Sequence, residues 1–396
     1  LARRLLRPWI DSYLEYITPV SDAPENYTFW SAAAIVSATL KRHVWYSRGL
    51  RKMYPNLYTV LVGKPGTGKG EAANPAIDIL SEANTANILS DRLTMEYILE
   101  RLAKGFQSKI HTTSGGFTFG TESTAIIYSP EMSILIMSPR TTLPTMSDLW
   151  DCRERPFDYG TRYKGSYVIE KPGVSLFACS AEEWLARTIP SEAVGGGFTR
   201  RVNHVYSKTV FRNKPWPTMS NSGSLRSDLI NDLRHISSIK GGFKFENAAK
   251  PLFEKYYKSS IADEFDDEAT ALYKGSKWVH ITKLAMGLSV SRDDDLVITR
   301  EDMLTAETRV NIIIRDLPLV FRAVGESDLV SAADKVLRFL ELHGNASIKD
   351  ILRVNWKHVT YDTLMVILTT LIQGGLVKEE ERGNKVIYSS IQGGKP

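Results

Sequence analysis

One short segment constrains this chain more than any other: Gly63-Lys64-Pro65-Gly66-Thr67-Gly68-Lys69, preceded by Asn56-Leu57-Tyr58-Thr59-Val60-Leu61-Val62 and followed by a stretch compatible with helix. The nearly continuous apolar run before the loop, with β-branched and aromatic members, predicts a buried parallel strand. A strand that feeds a glycine-rich loop into a helix makes successive backbone N–H groups converge, with the positive end of the helix dipole behind them. Glycines let the backbone approach phosphate oxygens closely, and Lys69 adds a cation for the terminal phosphates. Gly63, Lys64, Pro65, Gly66, Thr67, Gly68, Lys69, Gly70 and Glu71 are therefore the candidate nucleotide-binding residues. The position after the lysine normally carries a Ser or Thr hydroxyl that helps hold magnesium. Here it is Gly70, and that hydroxyl is missing. Pro75 falls within the first turns of the helix, where it is tolerable but irregular.

Three further runs read as strands: Thr124-Ala125-Ile126-Ile127-Tyr128, Val174 to Cys179, and Val202 to Tyr206. Helical stretches around Met95 to Leu102 and Glu182 to Arg187 separate them. The alternation predicts an α/β domain with a mainly parallel sheet, a P-loop nucleoside triphosphatase core over residues 46–214. Before it, apolar residues recur at helical spacing through Leu5, Trp9, Ile10 and Leu14, and Phe29 to Val36 follows, so residues 1–45 read as a helical collar. Pro, Ser, Asn and Gly cluster from Pro215 to Ser224, after which helical periodicity predicts a helical lid over 215–328. The tail, 329–396, reads as helices Ala332 to His343, Ile348 to Val354 and Tyr361 to Gln373, then two strand segments flanking Arg382-Gly383-Asn384. Three helices followed by a hairpin is the winged-helix order.

A triphosphatase of this kind also needs an acidic group at the end of a neighbouring strand, to orient magnesium and activate water. Glu131 stands there, directly after Ser129-Pro130, and the aspartate that usually precedes it is replaced by Pro130. Glu131 would then serve both needs; a solvated strand-end glutamate is the competing role. Ser180 follows the strand ending in Cys179, where a hydroxyl could sense the γ-phosphate or be satisfied by backbone. Gly195-Gly196-Gly197-Phe198-Thr199-Arg200-Arg201 delivers two arginines onto a strand. An arginine donated across a subunit interface stabilises phosphoryl-transfer charge, so Arg200 or Arg201 is the candidate, against a salt bridge within the chain.

At 396 residues the chain exceeds one hydrophobic core. Its 43% hydrophobic and 24% charged residues are those of an ordinary globular protein, and a net charge of +5 permits a nucleic-acid partner without requiring one. No run approaches the roughly 20 apolar residues that span a bilayer, so no membrane partner and a cytoplasmic setting are expected. Cys152 and Cys179, far apart and without metal spacing, read as reduced thiols. The chain opens on Leu1 rather than Met, as a fragment or a processed product would.

Asn56-Leu57-Tyr58, Gly66-Thr67-Gly68-Lys69, Ser129-Pro130-Glu131 and Gly197-Phe198-Thr199-Arg200-Arg201 occur in an order and spacing that resemble the replication ATPases of phages, plasmids and mobile elements. That group lies near the AAA+ and superfamily 3 helicases and includes helicase halves fused behind primase-polymerase domains. The resemblance covers roughly residues 10 to 210. It implies a homo-oligomeric ring, a hexamer, that binds ATP and Mg2+ between subunits and translocates on single-stranded DNA, with a possible upstream primase-polymerase domain. Lys69, Glu131 and Arg200 or Arg201 would carry the phosphate-gripping, water-activating and finger roles.

For DNA, the segment Arg153 to Tyr167 mixes cations, aromatics and glycine and reads as a projecting hairpin or loop, with Arg162 and Lys164 as candidate contacts. The tail is a poorer reader, because Tyr361 to Gln373 has no Lys or Arg and Glu379-Glu380-Glu381 adjoins Arg382. The leading expectation is a DNA helicase. A slowly hydrolysing initiator or loader, and a P-loop kinase acting on a small metabolite, are the competing ones.

Overall fold

In a computed structural model of the chain, residues 4–6, 8–90, 93–111, 117–136, 138–161, 165–189, 197–208, 214–217, 222–261, 266–321, 328–355, 359–382 and 385–391 are described. The chain divides into two compact units, Leu1–Phe321 and Arg322–Pro396.

The first unit is mixed α/β around a five-stranded parallel sheet. Its strands are β1 (Tyr58–Val62), β2 (Ile88–Ser90), β3 (Thr124–Ser129), β4 (Gly173–Ser180) and β5 (Val202–Tyr206), in the spatial order β5-β1-β4-β3-β2. Every residue of β1, β3 and β4 is buried, which is why their sequences are continuously apolar rather than alternating. Register aligns Ser180 with Val62 and Ala178 with Ser129, and Tyr206 also pairs with Val62. The strands therefore end together, and the segments after β1, β3 and β4 emerge along one carboxyl edge, where parallel sheets bind ligands.

The predicted collar is not peripheral. Helix Trp9–Ile17 buries Trp9, Ile10, Tyr13 and Ile17, and every residue from Tyr27 to Leu40 of helix Glu25–Leu40 is buried. A helix apolar on all sides belongs inside a core, and this one packs against the sheet. A second sheet ties the junction of the collar and core segments to the lid segment, where the helical reading of the lid expected no strands. Val44–Arg48 pairs in parallel with Gly241–Phe245 and antiparallel with Arg51–Met53, and Val297–Ile298 joins Gly241–Phe245. These runs are too short for local periodicity to separate from helix; tertiary pairing decides them. The lid is otherwise helical, through Ser222–Ile236, Lys250–Ser259, Glu268–Arg292 and Arg300–Phe321. The collar and core segments and most of the lid segment fall within one compact unit, Leu1–Phe321.

The second unit contains helices Asp328–His343, Ile348–Asn355 and Tyr361–Gln373 and the hairpin Val377–Arg382 with Lys385–Ser390. Ala346–Ser347 adds a short third strand against Ile387 and Tyr388. Val336, Leu340, Ile351, Leu364 and Leu368 form its core. Among the described residues, no helix is long and apolar enough to cross a membrane.

Candidate functional site

The glycine-rich loop joins β1 to helix Lys69–Ala83 at the carboxyl edge of the sheet. Two of its glycines are required by geometry. A Cβ at Gly63 would lie 2.6 Å from both the Ser207 carbonyl oxygen and the Tyr27 hydroxyl. Gly68 has φ +82°, and a Cβ there would sit 3.0 Å from Ala23 Cα, so the collar braces the loop from outside. Tyr27 reinforces the brace by donating to the Val62 carbonyl at 2.6 Å. The Thr67 hydroxyl turns inward and donates to Lys64 O at 2.9 Å. Ala72 N–H is bonded to Gly68 O, so the preceding N–H groups of the helix lie ahead of its hydrogen-bond ladder.

Lys69 Nζ donates to Gly63 O at 2.5 Å and Lys64 O at 2.9 Å. Burial pulls this ammonium below the usual lysine range, and the charges of Glu131, Glu182 and Glu183 work in the opposite direction. The loop opens on a cleft of about 720 Å³ lined by Pro65, Gly66, Gly68 to Glu71, Glu131 and Ala181. Lys69 and Glu131, 62 positions apart in the chain, thus meet in one cleft because β1 and β3 are separated only by β4. Glu131 is exposed and precedes the short helix Met132–Leu135, with its carbonyl fixed by the Ser129 hydroxyl at 2.8 Å. Converging N–H donors, a lysine and a carboxylate in such a cleft can hold a phosphate chain and polarise a water beside it.

Gly70 is an open position, with only Asn74 Nδ2, at 3.8 Å, near an added Cβ. The missing hydroxyl is therefore a matter of chemistry and not of space. Among the described residues, no group of three or more His, Cys, Asp or Glu side chains is disposed to hold a metal ion. Ser180 is fully buried between the two sites, and its hydroxyl donates to Ala181 O at 3.2 Å, the backbone-satisfied role. Its neighbour Cys179 is buried too, which pushes the thiol up to about 12 and keeps it neutral.

The two arginines have different fates. Arg201 forms an ion pair with Asp151 at 3.0 Å and donates to Gly197 O at 2.7 Å, so for it the intramolecular salt bridge prevails. Arg200 is half-buried and its guanidinium has no hydrogen-bond or ion-pair partner among the described residues. Burial, then the charge of Arg201, lowers its pKa. Neither arginine lines the Lys69 cleft of its own chain. The Arg153 to Tyr167 stretch does form a hairpin, Phe157–Thr161 with Gly165–Ile169, while Arg162 and Lys164 lie outside the described residues.

Several contributors had no signal in the sequence. Asp22 and Lys214 line the Lys69 cleft, and Lys214 is anchored to the collar through its N–H to Asp22 at 3.1 Å and its ammonium to Ser21 O at 2.7 Å. His280 donates from Nε2 to Arg200 O at 2.8 Å and so positions the arginine turn. Lys283 sits one helical turn further on, in a stretch that reads as packing. Comparison with known proteins returns no matching family model and no match among curated proteins.

Proposed function

We propose that this chain is an ATP-driven replicative DNA helicase or translocase of a phage or mobile element, a P-loop ATPase akin to the AAA+ and superfamily 3 helicases. It would work as an oligomeric ring on single-stranded DNA. The observation that carries the reading is the shared cleft of Lys69 and Glu131, at the carboxyl edge of a parallel sheet and with one strand between theirs. The loop amides and Lys69 hold the triphosphate of ATP. Glu131 orients and deprotonates the attacking water. Glu131, together with the phosphates, would hold Mg2+, which would supply charge neutralisation when bound. Arg200 is absent from the Lys69 cleft of its own chain and half-buried, with no ion pair among the described residues, which suits a finger reaching the nucleotide of the next copy. Three helices and a hairpin make the tail a winged-helix candidate.

The test is ATP hydrolysis with and without single-stranded DNA for the parent chain and for Lys69→Ala and Glu131→Gln, with particle mass measured in the same buffer. The proposal expects stimulated turnover by a multimer, lost in both variants. A monomer that phosphorylates a small acceptor instead would reject it. Gly70 favours a second reading, an initiator or loader that binds ATP and hydrolyses it slowly. Tight ATP binding and ring formation with negligible turnover would select that one.

A further inference from the structure

A second cleft, of about 610 Å³, shares no lining residue with the Lys69 cleft. Its walls come from the hairpin Val44–Met53, the segment Trp150–Glu154, the Arg200-Arg201 turn and helix Glu268–Arg292. Seven Lys or Arg side chains and two carboxylates line it. Both carboxylates are engaged: Asp151 by Arg201, and Glu154 by Arg42 at 2.9 Å and by the Tyr54 hydroxyl. Arg48, Arg51, Lys52, Arg200 and Lys283 form no ion pair with a carboxylate among the described residues.

Lys283 is the most telling of these. It is 4% exposed, its ammonium donates to Asn56 O at 3.2 Å and to Asn56 Oδ1, and it lies 4.2 Å from the centre of the Trp150 ring. Burial pulls it down to about 8, with Cys152 and Asp151 acting the other way. A buried ammonium held only by an amide, a carbonyl and a ring face, with no carboxylate in ion-pair contact among the described residues, opposes folding. The backbone is also strained here: Cys152, between Asp151 and Arg153, has φ +47°, which a side-chain-bearing residue rarely adopts. The rim is exposed and cationic. Arg48 is stacked against Tyr257 and Trp278, and Arg51, Lys52 and the fully exposed Leu50 complete the hairpin tip.

We propose that this cleft is a second phosphate site, separate from the Lys69 loop, with Lys283 at its base and Arg51 and Lys52 at its rim. Convergent ammonium and guanidinium groups that make no ion pair among the described residues are matched by phosphate oxygens, through charge-assisted hydrogen bonds. The volume is that of a small-molecule site. The tail of a nucleotide and the backbone of a nucleic acid present the same chemistry, and either would engage the same groups. This site goes beyond the ATPase reading and does not require hydrolysis at Lys69.

Calorimetric titration of tripolyphosphate at low salt into the intact 396-residue chain carrying Lys69→Ala tests it. One remaining site is expected, and its affinity should fall at least tenfold on adding either Lys283→Met or the exposed pair Arg51→Ala and Lys52→Ala. The exposed pair guards against misfolding of the buried variant. Absence of binding in the Lys69→Ala chain, or binding undiminished in both further variants, overturns the proposal. Displacement of tripolyphosphate by an oligothymidylate, with steep salt dependence, would identify a nucleic-acid strand as the source; failure to displace it would identify a nucleotide. The difference between the parent and Lys69→Ala chains reports the first site separately, so failure at one cleft is not mistaken for failure at the other.

Discussion

Mild acid should destabilise the first unit through two buried histidines. His204 lies in β5 beside the strand that carries the glycine-rich loop, fully buried, with the Phe321 ring edge-on at 4.9 Å. Neither of its ring nitrogens meets hydrogen-bond geometry, and burial lowers it to about 3, which the Val202 carbonyl offsets only in part. His280, stacked on Tyr273 at 4.4 Å, is lowered by burial to about 4. An unfolded imidazole titrates near 6.5. Below that pH the unfolded chain takes up protons that the folded chain refuses, so stability falls as pH drops from about 6.5 toward 4. From pH 7 to pH 5 each histidine costs about 2 kcal/mol, and together about 4 kcal/mol, a large part of the usual margin. His204→Leu removes one of the two contributions. Urea unfolding followed by tryptophan fluorescence, at pH 7 and pH 5, should show a loss between the two pH values that is smaller by about 2 kcal/mol in the variant. Carboxylates contribute equally to both chains and cancel in that difference. An equal loss in parent and variant would refute the assignment of acid sensitivity to His204.

Four further outcomes follow from the site. Gly63→Ala forces a Cβ to within 2.6 Å of the Ser207 carbonyl and the Tyr27 hydroxyl; it should lose nucleotide binding in a fluorescent-nucleotide titration and destabilise the fold by roughly 1–3 kcal/mol. Arg201→Ala should lower stability by roughly 1–3 kcal/mol, since it leaves Asp151 unpaired. Arg200→Ala should change stability by less than about 0.5 kcal/mol yet cut DNA-stimulated turnover by roughly a thousandfold or more; denaturant melts and steady-state assays on both variants separate the two roles. Gly70→Ser fits the open space at that position, and should raise magnesium affinity roughly tenfold, read from the magnesium dependence of hydrolysis.

Elements whose cause is local are legible in the chain's own residues. β1, β3 and β4 are buried on both faces, so their apolar runs are continuous and legible, and the loop after β1 is legible because glycine and lysine have few other reasons to alternate there. The order of helices and hairpin in the second unit was equally readable, since its helices are amphipathic or capped, as Thr360 caps Tyr361–Gln373. Only the tertiary structure decided the rest. It placed Lys69 and Glu131 in one cleft through strand order, which no local pattern encodes. It buried the supposed collar in the core and tied it to the supposed lid through strands too short to announce themselves. It also gave Arg201 to Asp151 and left Arg200 without an ion pair among the described residues, although the two are adjacent and chemically alike. Whether a charge is spent on a neighbour or kept for a ligand depends on which groups the folded chain brings within about 4 Å, where Coulomb energy in a poorly solvated site outweighs hydration.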